Sequence, residues 1–387
     1  MKISMKIRNI VFPFLFLLMI FIPLFFCDLK KDRVSTIDNK LLTNFPDFSY
    51  LKKDPRKFFG EFDDWFKDST GFREPLIKLY ISVKNKKWLN KVRYKEGIYV
   101  YLYGEEGHVY FAETNGWLIS KFQGKPILSD TELIYFAERI NEISAYLKSF
   151  NIPLLFMICP DKETIYPEFY PKSIIRGSEP FPVDIFTDFL KKNTNTVVFN
   201  INDALLSQKD NFLLYPKLDT ISDTPSDAAH YNQIGAFFGY QELMRHINLF
   251  YPQMNMFKLD DIDIILDDKK ANVKLKPENI SAQKFDNTFF ENISLKRPYE
   301  RHINTAYKNI NNDLPTLLFL RDSYTYSSYT EQYIPQHFGK SIFLHYHNIQ
   351  NLKEYINTFK PDIVILEVCE RGLRNFPNHL REIPKLN

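Results

Sequence analysis

At 387 residues the chain has room for about two domains and a sizeable buried core. With 44% hydrophobic, 25% charged and 16% aromatic residues, it is not a long disordered, collagen-like or low-complexity polypeptide. Fifty basic against 47 acidic residues leave +3, too little asymmetry for an electrostatic footprint on nucleic acid, so no nucleic-acid partner is expected.

Ile10 to Cys27 is 18 residues without a charge. As a helix it reaches about 27 Å, close to the hydrocarbon thickness of a bilayer. Residues 1–28 are therefore expected to form an N-terminal membrane anchor with one transmembrane helix. Lys2, Lys6 and Arg8 favour a cytoplasmic amino terminus, against Lys30, Lys31 and Arg33 after the span. Phe and Leu stand where a signal peptidase requires small residues, and Leu24-Phe-Phe-Cys27 lacks the small residue expected before a lipidated cysteine. Both points favour an uncleaved anchor. The rest of the chain is then expected on the periplasmic or extracellular side of the cell membrane.

Residues 29–128 read as a tether and an N-terminal helical and hairpin region. Residues 28–60 are polar, and Phe59, Phe62, Trp65 and Phe66 recur at the spacing of an amphipathic helix. Gly97 to Trp117, aromatic and punctuated by glycines, reads as hairpin-like strands. Ser129 and Glu132 fit a capping box opening a helix to about Ser149. From there to residue 387 the pattern alternates. Strands are predicted at 153–159, 196–201, 316–320, 341–346 and 363–369, and helices near 183–192 and from Gln233 to Ile247. This predicts an α/β fold with a mainly parallel sheet flanked by helices. Residues 252–312, rich in Asn, Asp and Lys, read as a β-rich or loop-rich insertion. Of the three cysteines, Cys159 and Cys369 end apolar runs and read as small buried hydrophobes, and Cys27 ends the apolar span.

Chemistry concentrates in two stretches. Leu317-Leu-Phe-Leu-Arg-Asp-Ser-Tyr324 is an apolar strand that turns polar at Arg321, and the carboxyl ends of strands line the crevice of an open α/β sheet. Ser323 is thus the candidate nucleophile, and its hydroxyl needs a base. His230, in Ser226-Asp-Ala-Ala-His-Tyr-Asn-Gln-Ile-Gly-Ala236, is the candidate base, with Asp227 three residues earlier to orient the imidazole. Backbone N–H groups of Ser323 and Tyr324 would begin an oxyanion hole. Tyr324, Arg321, Lys162 and Arg371 are candidates for oxyanion or substrate contacts. A Glu370–Arg371 pair that holds loops together is the alternative for the last. His345 and His347 share a strand face without a cysteine or carboxylate at ligand spacing, so no metal is expected. No phosphate-cradling glycine loop appears, and no cofactor is expected.

Arg321-Asp-Ser-Tyr324 resembles the Gly-Asp-Ser block of SGNH hydrolases with arginine in place of glycine, and Asp227-Ala-Ala-His230 is similar to their Asp-x-x-His block. Here the histidine precedes the serine, an order that resembles the alginate O-acetyltransferase AlgX/AlgJ type, whose SGNH hydrolase-like domain is circularly permuted. Three further stretches are similar to that family: Phe62-Asp-Asp-Trp-Phe-Lys-Asp-Ser-Thr-Gly-Phe-Arg73, Pro160-Asp-Lys-Glu-Thr-Ile-Tyr-Pro167, and Lys360-Pro-Asp-Ile-Val-Ile-Leu-Glu-Val-Cys-Glu-Arg371. The family's usual Asp-x-His-Trp is Asp-x-x-His-Tyr here, with Tyr231 in the tryptophan's place. Tyr215-Pro-Lys-Leu-Asp-Thr220 resembles the approach to that motif, which leaves Asp219 as the alternative acid. The resemblance implies a membrane-anchored O-acetyltransferase that modifies a cell-surface or exported polysaccharide through an acyl-serine. It also implies an acetyl supply from a membrane-bound O-acyltransferase partner. An extracytoplasmic carbohydrate acetylesterase and a non-catalytic glycan-binding or assembly subunit are the alternatives.

Overall fold

The computed structural model describes residues 42–69, 101–112, 117–217, 230–266, 271–291, 293–295, 303–325 and 330–386. It also gives short strands at 34–35, 40–41, 92–95 and 99–100, and the single positions 17, 21 and 27. The expected membrane span lies almost wholly outside these residues. Among the described residues, no helix is long and apolar enough to cross a membrane. The chain divides into two compact units, residues 1–101 with 112–117 and residues 102–111 with 118–387.

In the first unit, the stretch expected to be a polar tether already contains a short helix at Ser49–Lys53 and the start of helix α1, Pro55–Ser69. The amphipathic helix is present with a shifted face. Phe58 and Trp65 are buried while Phe59 is exposed, because positions 58, 62 and 65 share the inner stripe at helical spacing. Phe45 meets Trp65 edge-on at 4.8 Å, and Asp68 accepts hydrogen bonds from both the backbone and the hydroxyl of Thr43 at 3.0 Å.

In the second unit, helix α2, Asp130–Lys148, opens with the expected capping box. Ser129 Oγ accepts the Glu132 N–H, and the Glu132 carboxylate accepts the Ser129 N–H at 3.0 Å. Strand β1, Leu154–Cys159, follows, then α3, Pro182–Asn193, and β2, Val197–Asn200. Helix α4 is Gln233–Ile247, and strands β3, Ala282–Lys284, β4, Thr305–Asn309, β5, Thr316–Arg321, and β6, Lys340–His345, come next. Helix α5, Leu352–Phe359, strand β7, Ile363–Cys369, and helix α6, Phe376–Glu382, complete the unit.

The seven strands form one sheet in the order β3-β4-β6-β5-β7-β1-β2. From β6 to β2 all neighbours are parallel, whereas β3 and β4 run antiparallel at the edge. The segment 252–312 therefore does more than insert: after a separate hairpin of 262–266 with 271–275, it extends the main sheet. Every residue of β1 and β7 is buried, which explains why both read as near-continuous apolar runs, interrupted in β7 by Glu367, and not as alternating ones. Phe136 of α2 meets Phe156 of β1, Phe186 of α3 and Phe376 of α6 at ring separations of 5.7, 5.2 and 5.6 Å, which closes one face. On the other face, Leu155, Met157, Phe319 and Ile365 share a core with Phe237, Tyr240 and Leu243 of α4. Cys159 and Cys369 are register partners on β1 and β7, both buried free thiols whose pKa burial pushes up.

Candidate active site

Parallel pairing brings the carboxyl ends of β5, β7 and β1 to one edge, where each strand hands over to polar residues: Asp322-Ser323, Glu370-Arg371 and Asp161-Lys162. Asp322 shapes the first of these turns. One oxygen of its buried carboxylate accepts the Tyr324 N–H at 2.8 Å and the other accepts the Cys369 N–H at 2.7 Å. Its own N–H donates to Glu367 at 2.9 Å. The carboxylate thus closes a tight turn over Ser323–Thr325 and ties it to β7. With both neighbours buried, Ser323 is the exposed residue of the turn.

His230 reaches the same edge from the start of α4. Asn232 caps that helix, accepting the Gly235 N–H at 3.0 Å, and its own N–H donates to Leu214 at 2.8 Å. Tyr231 is fully buried, edge-on to Tyr324 at 5.2 Å, so the residue in the tryptophan's place anchors the segment from below. Gly235 permits the close approach, since a Cβ there would lie 2.8 Å from the Leu214 carbonyl oxygen and 2.9 Å from Tyr231. From this base His230 Nε2 stands 2.9 Å from Ser323 Oγ, although 93 positions separate them in the chain. Asp227 and Asp219, the two candidate acids, lie outside the described residues.

Arg371 is the third group at this point. Its Nη2 lies 3.2 Å from His230 Nε2, and its Nη1 lies 3.2 Å from Asp161. The guanidinium carbon sits 4.9 Å from the ring centre of Tyr324 and 5.0 Å from that of Phe111. In place of the alternative Glu370–Arg371 pair, the two residues take separate partners. Glu370 accepts from the Asp161 N–H at 3.0 Å and the Thr164 hydroxyl at 2.6 Å, and meets Lys121 at 3.0 Å.

Beneath Arg371 lies a buried charge cluster that the sequence reading did not single out. Lys121 contacts Asp161 at 2.8 Å, Glu163 at 3.1 Å and Glu370, and Asp161 also accepts from the Tyr324 hydroxyl at 3.1 Å. Burial opposes the charge on Asp161, yet Lys121 and Arg371 hold it below the usual carboxylate range. Burial pushes Glu163 up to about 7 against the pull of Lys121. The signal in the sequence was a lone lysine inside the apolar helix Trp117–Phe122, together with two acids in the Pro160–Pro167 motif.

Other expected contacts fall elsewhere. Arg321 is buried, forms an ion pair with the equally buried Glu331 and donates to the Ile303 carbonyl at 3.0 Å, because the strand's alternation turns it inward. Lys162 is buried and donates to the Pro216 carbonyl at 2.6 Å, and burial, with Lys217 adding repulsion, pulls it down to about 7. The Tyr324 N–H, expected in the oxyanion hole, is taken by Asp322, and the Tyr324 ring packs 4.8 Å from that of His230 inside the protein. His345 ends its strand and His347 lies in the following turn, their rings 4.0 Å apart, with His379 stacked on His347 at 4.5 Å. Among the described residues, no group of three or more His, Cys, Asp or Glu could hold a metal ion.

No family model and no curated protein matches the chain. Among solved structures it is similar to PatB1 of Bacillus cereus, with a TM-score of 0.48, 14% identity, and coverage of 69% of this chain and 95% of the other. It is similar to a DHHW family protein from Eubacterium siraeum, with a TM-score of 0.48, 10% identity, and coverage of 75% and 96% respectively. The O-acetyltransferase domain of Pseudomonas putida AlgJ is a further similar structure, with a TM-score of 0.43, 13% identity, and coverage of 73% and 98%.

Proposed function

We propose that the protein is an O-acetyltransferase of the AlgX/AlgJ type that uses Ser323 as nucleophile and His230 as base. The observation that carries this reading is the 2.9 Å approach of His230 Nε2 to Ser323 Oγ at the carboxyl edge of a parallel sheet. With the imidazole proton on Nδ1, Nε2 accepts the serine proton as Oγ attacks the acetyl carbonyl. It returns that proton to the leaving group, and the acyl-serine remains. His230 then takes a proton from a sugar hydroxyl, which attacks the acyl-serine and regenerates the enzyme. Asp227, or Asp219 in its stead, orients the ring.

A polysaccharide acceptor follows from the motif resemblance, and the membrane anchor at residues 1–28 and an extracytoplasmic catalytic domain follow from the charge-free run Ile10–Cys27 and the basic residues before it. Acetyl-CoA is cytoplasmic, so a membrane-bound O-acyltransferase partner would pass the acetyl group across. In cells producing the full chain, Ser323→Ala and His230→Ala are each expected to lower glycan O-acetylation by about 10³-fold or more while the protein stays folded. Unchanged acetylation with either folded variant would establish the non-catalytic subunit instead. Incubation of the wild-type protein with an acetyl ester and glycan separates transfer from esterase action: release of acetate with no glycan acetylation assigns an esterase.

A further inference from the structure

We propose that Arg371 is the oxyanion-binding group of this site, a role that rests on the Ser323–His230 reading above. An acyl-transfer site needs a donor aimed at the oxygen that becomes anionic, fixed in place before the reaction. In SGNH-like sites a strand-to-helix turn offers backbone N–H groups for this purpose. Here the Tyr324 N–H already donates to Asp322 at 2.8 Å. Arg371 stands where that donor is wanted. Its Nη2 and the Ser323 Oγ both approach the same ring nitrogen, at 3.2 and 2.9 Å, which brings the guanidinium into the neighbourhood of the hydroxyl that the acyl carbon would join.

The guanidinium is also held rigidly. Asp161 fixes Nη1 at 3.2 Å, Tyr324 and Phe111 contact the guanidinium plane region at 4.9 and 5.0 Å, and Lys121 and the Tyr324 hydroxyl hold Asp161 in turn. The side chain keeps 13% of its surface exposed while Asp161 keeps 1%, so the arginine stands nearer the solvent and the carboxylate is the more deeply buried partner.

The step balances without any further reactant. The Ser323 Oγ lone pair forms the C–O bond, the carbonyl π pair moves to oxygen, and the hydroxyl proton passes to His230 Nε2. An oxyanion is a stronger acceptor than a neutral imidazole nitrogen. The Nη2 hydrogen bond therefore moves from Nε2 to the oxyanion and leaves Nε2 to the serine proton. Collapse restores the carbonyl, breaks the bond to the leaving group and returns the proton from His230 to it.

The test is turnover of 4-nitrophenyl acetate by the full chain, with thermal melting of each variant alongside. Arg371→Met is expected to lower kcat by about 10²–10³-fold with KM changed by no more than about threefold, and Arg371→Lys to recover about tenfold of that loss. Ser323→Ala is expected to be inactive. If Ser323→Ala is inactive while Arg371→Met keeps kcat within about threefold, the oxyanion assignment falls and the serine chemistry stands. A loss carried by KM alone overturns the assignment in favour of substrate binding. A loss that accompanies a collapsed melting transition, without recovery in Arg371→Lys, overturns it in favour of a structural role. Full activity in Ser323→Ala overturns both readings.

Discussion

Glu367 shows how much of this site depends on single buried atoms. It is fully buried on β7, and burial together with the neighbouring Asp322 pushes its pKa well above the usual carboxylate range, which favours its neutral form. Its oxygen accepts the Asp322 N–H at 2.9 Å and the Thr325 hydroxyl at 3.1 Å. A neutral amide of the same shape supplies the same acceptor. Glu367→Gln is therefore expected to change unfolding free energy by less than about 1 kcal/mol, while Glu367→Leu strands a buried N–H and costs about 1–3 kcal/mol in urea denaturation. A Gln variant as unstable as the Leu variant would show that the ionised carboxylate is what the turn requires. Arg321 and Lys162 illustrate the opposite lesson. Both have the length to reach a crevice, and both end on internal partners, because a side chain at a strand end takes whichever acceptor the folded neighbours present.

At the scale of elements, the site is a junction of strand ends and one helix start. The apolar run of β5 and its break at Arg321 were legible because a strand buried on both faces must be continuously apolar and must stop where the chain leaves the sheet. The start of α4 was legible from its polar approach, and Asn232 is its cap. What aims His230 is the fit of that start against the Leu214 segment, which depends on Gly235. Gly235→Ala forces a Cβ against the Leu214 carbonyl and Tyr231. It is expected to lower stability by about 1–3 kcal/mol and to lower kcat for acetyl-ester turnover as His230 is displaced. Wild-type kcat together with a lowered melting temperature would mean that the helix start shifts without moving the imidazole. The shifted face of α1 has a simpler origin. Phe58 and Phe59 are adjacent aromatics, and spacing alone fits either one to the inner stripe.

The whole molecule sets the electrostatics. Lys121, Asp161, Glu163, Glu370 and Arg371 come from three separate stretches of chain and meet out of water, two cations among three carboxylates. Such a cluster ties stability to pH. Glu163, raised to about 7, binds its proton in the folded state over a range where the unfolded chain has lost it. Stability from this group is complete below the ordinary carboxylate pKa and falls as pH rises towards 7. Lys162, lowered to about 7, acts in the other direction above that point: the unfolded chain holds the proton that the folded protein has released, so stability recovers from pH 7 towards 10. Melting temperature against pH is expected to dip near neutrality. Glu163→Gln should flatten the acidic limb and Lys162→Met the alkaline one, and a profile unchanged by both would contradict the assignment.

The sequence by itself determined the alternation of strands and helices, the capping box of α2, and the two polar blocks that hold Ser323 and His230. Each of these is written in local periodicity or in a short string of neighbours, because helical turns, caps and the faces an element buries are set by residues close in the chain. Only the tertiary structure decided that Arg371 meets the imidazole, that Asp322 takes the Cys369 N–H, and that Lys121 sits among three acids. Buried charges and donors must find partners wherever the fold supplies them. The partners of Arg371 and Lys121 here lie 40 to 249 positions away, a distance over which spacing in the sequence carries no signal.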